Sequence, residues 1–117
     1  MTYLRIKNWM KHQHYKDRRP PWIKLHNAIF DDYEFNLLQD ASKLHLIAIW
    51  LLASCSNVCH EDGDPMLPED EAYLTKRAGL CSKIDLKPLI EAGFLIRYQP
   101  ASRLIATCYS DPQVQEA

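Results

Sequence analysis

Residues 68–98 read PEDEAYLTKRAGLCSKIDLKPLIEAGFLIRY, and this stretch decides the predicted fold. Pro68 and the three acids after it are typical of a helix start, and apolar residues at helical spacing follow until Gly79, which favours a helix end. A second helix is predicted to have Asp85 as its N-cap, a proline in its first turn and Gly93 at its end. Two short helices joined by a tight turn predict a helix-turn-helix.

Strands are predicted on both sides of these helices. Residues 94–98 and 104–107 are rich in β-forming residues, and the polar segment 99–103 between them predicts a β-hairpin. Residues 2–6 alternate apolar and charged side chains, which predicts a strand able to pair with that hairpin. The predicted fold class is therefore α+β, a winged helix-turn-helix with a three-helix core, a C-terminal hairpin as the wing and an N-terminal strand.

The third helix of this core is predicted at residues 41–55, with Asp40 as its N-cap. This segment is apolar on nearly all sides, which is typical of a central helix packed on more than one face. Upstream, Trp22, Leu25 and Ile29 recur at helical spacing and predict another short helix. The residues predicted to share one core are Leu44, Ile47, Ile49, Trp50, Leu51, Leu74, Leu89, Phe94 and Leu95.

Length and composition are those of one globular domain spanning residues 1–117, since the chain is 47% hydrophobic and 25% charged. The longest apolar run, residues 44–53, is about half the length that crosses a bilayer. The basic start of the chain has no apolar signal-peptide segment behind it. We therefore expect a cytoplasmic protein with no membrane association, reduced cysteines and a flexible tail at residues 110–117.

The charges are distributed unevenly along the chain. Residues 1–24 hold seven Lys or Arg and one acid, a local charge of +6, whereas the remainder holds seven bases and fourteen acids, a local charge of −7. A polyanion would be attracted to the first part and repelled by the second. Residues 11–21 lack apolar periodicity and end in two prolines, which predicts an exposed basic arm. The alternative is a solvated basic segment without a partner.

Four segments resemble one family. They are YLRIKNW (residues 3–9), HYKDRRPPWIKL (14–25), IWLLAS (49–54) and DLKPLIEAGFL (85–95). Together they resemble the N-terminal winged-helix domain of phage and prophage replication initiator or replication organiser proteins.

The resemblance covers residue 3 to about residue 107. It implies binding of origin DNA in a bacterial host cell. It also implies a further C-terminal region that engages the host helicase or its loader, for which 117 residues leave no room.

The basic arm is the strongest functional signal. Its cations are interleaved with Trp9, Tyr15 and Trp22, and cations suit phosphates whereas flat rings suit unpaired bases. Alternatively, the tryptophans are core anchors that position the arm. Arg97 and Arg103 flank the predicted wing loop, where a wing meets DNA, although they also suit a solubilising loop. The predicted nucleic-acid-binding residues are Lys7, Lys11, Lys16, Arg18, Arg19, Lys24, Lys83, Lys87, Arg97 and Arg103.

Sequence-specific reading through the second helix of the motif is not expected. A reading helix exposes Arg, Lys, Asn, Gln or Ser to base edges, yet this one offers Lys83 and Lys87 against Asp85 and Glu91. A second hypothesis follows from the acidic remainder of the chain, which could present a negative face to a basic host protein. The protein would then be a phage-encoded inhibitor or regulator, for example of a CRISPR or restriction complex. The oligomeric state is left open.

No enzymatic chemistry or cofactor is predicted. The sequence has no phosphate-cradling glycine loop and no nucleophile in an interpretable setting, so no catalytic residue is assigned. Cys55, Cys59 and His60 resemble metal ligands at a helix end, with Cys81 or Cys108 as a fourth. Their spacing is not that of the usual zinc sites, and we therefore predict no metal, with small core cysteines as the alternative interpretation.

Overall fold

A computed structural model describes residues 2–9, 13, 21–60, 64–99 and 106–107. Within these residues the fold is α+β, with short helices packed against a three-stranded antiparallel sheet. The predicted tail at residues 110–117 lies outside the described residues. The elements in chain order are β1 (Tyr3–Ile6), a 3-10 helix (Asn27–Asp31), α1 (Tyr33–Leu37), α2 (Asp40–Ala53), β2 (Val58–Cys59), β3 (Met66–Pro68), α3 (Glu71–Ala78), α4 (Lys87–Glu91), β4 (Leu95–Tyr98) and β5 (Ala106–Thr107).

The N-terminal strand is the centre of the sheet, whose order is β3-β1-β4. Leu4 lies opposite Leu67 on one side and Arg97 on the other. Leu4 and Ile6 are fully buried while Arg5 between them is partly exposed, as the alternating sequence predicts for a strand with one buried face. The predicted strand at residues 2–6 is therefore confirmed, and so is its pairing with the strand at 94–98.

The predicted hairpin between residues 94–98 and 104–107 is not found in the described part of the chain. β5 pairs instead with β2, with Val58 opposite Thr107. Residues 100–105 lie outside the described residues. β-forming sequence identifies a strand, whereas the choice of its partner depends on packing that is distant in sequence.

The predicted central helix forms as α2, but its buried face differs in part from the predicted face. α2 begins at Asp40 itself, and the residue before it, Gln39, is the N-cap and makes no side-chain cap. Leu44 and Leu51, both predicted in the core, are about half exposed, at 53% and 49%. Because this helix is apolar on nearly all sides, its periodicity cannot tell which face meets the sheet. The buried positions are Ser42, His45, Leu46, Ile49 and Ala53.

The core is a single buried cluster that joins the sheet to the helices. Ile49, Leu74, Leu89 and Leu95 belong to it as predicted, with Trp50 and Phe94 packed against it. Ile47 is half-buried. The remaining buried residues of the cluster come from the strands, the helices and the turn before α4; they are Leu4, Ile6, Trp9, Phe35, Leu46, Ala53, Leu67, Ile84 and Leu86.

The two helices predicted within residues 68–93 form as α3 and α4 with shifted boundaries, and the connection between them, residues 79–86, is longer than the predicted tight turn. Pro68 ends β3, and α3 begins two residues beyond Glu69 with Asp70 as its N-cap, whose carboxylate accepts from the Tyr73 N–H at 3.1 Å. Gly79 ends α3 in the left-handed conformation with φ 71°, as predicted. The predicted N-cap of α4 is wrong by one residue, because Leu86 holds that position.

The segment upstream of α1 forms a 3-10 helix rather than the predicted α-helix. Trp22 and Leu25 precede the helix, and their side chains are about half exposed. Ile29, in contrast, packs against the core. Asp32 then caps α1, since its carboxylate accepts from the Phe35 N–H at 2.8 Å.

Candidate nucleic-acid interface

The base of the basic arm is held by one side chain. The Gln13 amide nitrogen donates to the Lys24 carbonyl at 2.9 Å, and the Lys24 N–H donates to the Gln13 amide oxygen at 2.7 Å. Gln13 is 7% exposed, so both bonds are shielded from water. The sequence between these two residues includes Lys16, Arg18 and Arg19.

The start of the basic segment is fixed to the sheet by Asp64. The Asp64 carboxylate accepts from the Arg5 guanidinium Nε at 3.0 Å and from the Trp9 N–H at 3.1 Å. Between these contacts the chain turns at Lys7 and Asn8, where Asn8 has φ 61°, a conformation that asparagine tolerates better than most residues. The turn leaves the Lys7 side chain exposed beside the arm.

Half of the predicted nucleic-acid-binding residues lie outside the described residues. Of the described cations in the basic segment, Lys7 is exposed and Lys24 is half-buried at the arm's base. Both residues line the same cavity. The predicted residues outside the described part of the chain are Lys11, Lys16, Arg18, Arg19 and Arg103.

The two lysines predicted to bind DNA near α4, Lys83 and Lys87, lie close to acidic side chains. Lys83 lies 3.6 Å from Glu71, and the other oxygen of Glu71 accepts from the Leu86 N–H at 2.9 Å, at the start of α4. Asp85 also accepts there, from the Lys87 N–H at 3.2 Å. Carboxylates thus occupy the helix terminus at which a helix-turn-helix protein would otherwise receive a phosphate.

Arg97, which was predicted to flank a wing loop, also has an acidic partner. The Arg97 Nε lies 2.8 Å from the Glu69 carboxylate. Arg97 is exposed on β4, so the ion pair faces solvent beside Lys87 and Glu91 in one open groove of mixed charge. Two of the predicted cations in this region, Lys83 and Arg97, are therefore paired with acids, which lowers the attraction of this surface for a polyanion.

The turn before α4 is held by side chains from two other helices. The Asp85 N–H donates to His45 Nδ1 at 3.3 Å, and the Ile84 N–H donates to the Thr75 hydroxyl at 2.8 Å. His45 is buried at 7% exposure, so its role here is to pack within the fold and to hold this turn.

Within the described residues, no three His, Cys, Asp or Glu side chains come together as a metal site. Cys55 and Cys81 are exposed and Cys59 is buried, while Cys108 lies outside the described part. His60 contacts Tyr98 edge-to-face, with ring centroids 5.0 Å apart. The same residues contain no helix with the length and apolarity needed to cross a bilayer.

A cavity of about 380 Å³ lies next to the arm's base. Gln13 and Lys24 line it on one side, Lys7 and Trp9 on another, and the helices contribute mainly Trp50, Ile29 and Asp32. Phe94 completes the wall, and its ring meets Trp50 edge-to-face with centroids 6.4 Å apart.

Gln13 and Asp64 are the residues that sequence reasoning missed. Both are buried polar side chains whose partners lie 11 and 55 or more residues away. A buried polar group needs a partner, but no local pattern shows which polar residue will be buried. No protein-family model, curated protein or solved structure matches this chain.

Proposed function

We propose that this protein is a DNA-binding domain of winged-helix type that contacts the phosphate backbone mainly through its basic arm, residues 11–21, which Lys7 and Lys24 flank in the sequence, and to a smaller extent through the wing. The observation that carries the proposal is the division of charge, +6 in residues 1–24 and −7 in the remainder. Phosphate contacts supply most of the affinity of such domains and need clustered cations. The resemblance to phage replication initiators points to the same ligand.

The order of elements supports the winged-helix interpretation. α2, β3, α3, the connection at residues 79–86, α4 and β4 follow one another in the order of a winged helix, and β1 adds a strand to the same sheet. In this proposal the central position of β1 matters for function. It connects the basic segment to the central strand of the sheet, so the cations follow a rigid element.

The acids around α4 favour contacts by the arm over contacts by the reading helix. Glu71 and Asp85 occupy the start of α4, and Glu69 pairs with Arg97. The proposed binding therefore relies on phosphates and has little sequence preference, because phosphate contacts carry no base information.

Fluorescence anisotropy with a labelled 20-base-pair duplex at four or more salt concentrations tests the proposal. Binding that weakens steeply with salt is expected, with log affinity falling linearly against log salt. A duplex of unrelated sequence should bind within about threefold, because the contacts are to the backbone. Absence of binding at low salt would exclude the DNA-binding function.

A protein partner is the second candidate function, and exposed apolar side chains favour it. Phe30 and Tyr33 are both 73% exposed and Leu37 is 63% exposed, although large apolar side chains are usually at least half-buried. Asp31 and Glu34 lie among them in the sequence and are exposed too. This chemistry suits a partner with a basic, partly apolar surface. Pull-down of such a partner that depends on Phe30 and Tyr33, by a protein that binds no DNA, would support this function.

A further inference from the structure

The cavity beside the arm's base is the feature that DNA backbone binding leaves unexplained. Phosphate contacts need surface cations, whereas this site is a partly open cavity of about 380 Å³ that Trp50, Phe94 and Ile29 line together with lysines. Its size lies at the small end of the range of roughly 300–1,000 Å³ in which proteins enclose small molecules. It suits one planar ring system rather than a base pair.

The walls of the cavity are those of a site for an aromatic ring. Trp50 and Phe94 meet nearly at right angles, with an angle of 78° between their planes, so they form an aromatic corner. Ile29 and the half-exposed Leu25 add apolar surface to the wall. Flat rings pack against such surfaces by stacking and edge contacts.

The charges at the cavity indicate which part of a nucleotide enters. Lys7 and Lys24 line it, and so do Asp32 and Glu34 at the start of α1. The two carboxylates disfavour a phosphate inside the cavity, and the lysines favour phosphates next to it. A neutral base inside with its phosphates outside satisfies both sets of charges.

We propose that this cavity binds one unpaired base of a single-stranded DNA whose flanking phosphates contact Lys7 and Lys24. The inference rests on the proposed function, and it adds a preference for single strands. A base within a duplex is stacked and paired, so it reaches the cavity only when it is extruded from the helix, at a cost in unstacking energy. A single strand offers its bases without that cost.

The test compares a labelled dT12 with a 12-mer of the same charge that carries abasic tetrahydrofuran residues in place of its bases. The whole chain should bind dT12 about tenfold more tightly than the abasic strand at the same salt concentration, since base–aromatic stacking contributes about this much per base. Equal affinities for the two strands would overturn the inference.

A variant that fills the cavity localises the effect. Ala28 lines the cavity and is exposed, so Ala28→Trp adds a large side chain there with little strain on the core. The matched control is Ala41→Trp, at an exposed position in the first turn of α2 that does not line the cavity. Ala28→Trp should reduce the preference for dT12 to less than twofold, and Ala41→Trp should retain it. Thermal unfolding of both variants checks that the fold is intact.

The outcomes separate this inference from the function on which it rests. Salt-dependent binding of duplex, dT12 and abasic strand with equal affinity would retain the phosphate-binding arm and exclude the base site. No binding of any of the three would exclude both. A preference for dT12 that Ala28→Trp leaves unchanged would move the base contact away from the cavity and overturn the proposal.

Discussion

The Asp64 carboxylate connects the Arg5 side chain to the backbone at Trp9. One carboxylate oxygen accepts from Arg5 Nε at 3.0 Å and the other from the Trp9 N–H at 3.1 Å. Asp64 is only 5% exposed, so these bonds compensate for the loss of hydration of its charge. They also determine where the basic segment leaves β1.

Removal of this carboxylate should destabilise the fold. Asp64→Ala is expected to lower the free energy of unfolding by about 2 to 3 kcal/mol, because the Trp9 N–H and the partly buried guanidinium lose a charged acceptor. Urea unfolding followed by tryptophan fluorescence measures the change. Asp31→Ala, at an exposed aspartate, is the control and should change stability by less than about 0.5 kcal/mol. Equal effects of the two substitutions would show that Asp64 has no special structural role.

Two leucines on α2 should respond differently to truncation. Leu46 is fully buried and Leu51 is 49% exposed. Leu46→Ala is expected to cost about 2 to 5 kcal/mol of stability, and Leu51→Ala less than about 1 kcal/mol. The ratio of the two losses, from chemical denaturation under identical conditions, checks the orientation of the helix. A larger loss for Leu51 would mean that the helix is rotated about its axis.

Glu69 should limit the contribution of Arg97 to DNA binding. Because the two side chains form an ion pair of 2.8 Å on the surface, Glu69→Gln is expected to raise DNA affinity by about two- to fivefold at low salt. Arg97→Ala in the otherwise unchanged protein should alter the affinity by less than about twofold. A tenfold loss with Arg97→Ala would instead identify Arg97 as a main DNA contact despite its acidic partner.

Gln13 should matter for DNA affinity without contacting a phosphate. Gln13→Glu keeps an oxygen for the Lys24 N–H but loses the donor to the Lys24 carbonyl, and Gln13→Ala loses both bonds. We expect stability to fall by about 1 kcal/mol or more with alanine, and DNA affinity to fall about threefold because the arm is less well ordered before binding. The slope of log affinity against log salt should be the same for Gln13→Ala as for the unchanged protein, since this substitution changes no charge. A shallower salt dependence would contradict this role.

The sequence predicted the helices and strands better than it predicted the contacts between them. The strand at Tyr3–Ile6 and the helix end at Gly79 follow from alternation and from the conformational freedom of glycine, which are local properties. The buried face of α2 does not follow from local properties. A helix that is apolar on nearly all sides permits several orientations, and packing against the sheet selects one of them. The pairing of β5 with β2 depends on contacts distant in sequence.

In the candidate site, too, local features could be predicted from the sequence and contacts between distant residues could not. The charge of residues 1–24 can be counted directly from the sequence. The contact of Gln13 with Lys24 has no local signal, because many polar residues could have been the buried one. The pairing of Lys83 and Arg97 with acids likewise depends on the fold, which brings residues 71 and 83, and 69 and 97, together.

The salt dependence of DNA binding by an Arg18→Ala, Arg19→Ala double variant tests the central claim most directly. If the arm binds phosphates, the double variant should lose affinity almost uniformly across DNA sequences. The slope of log affinity against log salt should become shallower by roughly two units, since each lost phosphate contact removes about 0.9 of a unit on duplex DNA. Lys76→Ala, Arg77→Ala, which removes two exposed cations at the end of α3, should leave the slope unchanged. An unchanged slope and affinity in the Arg18, Arg19 variant, in a protein that unfolds at the normal temperature, would contradict the account.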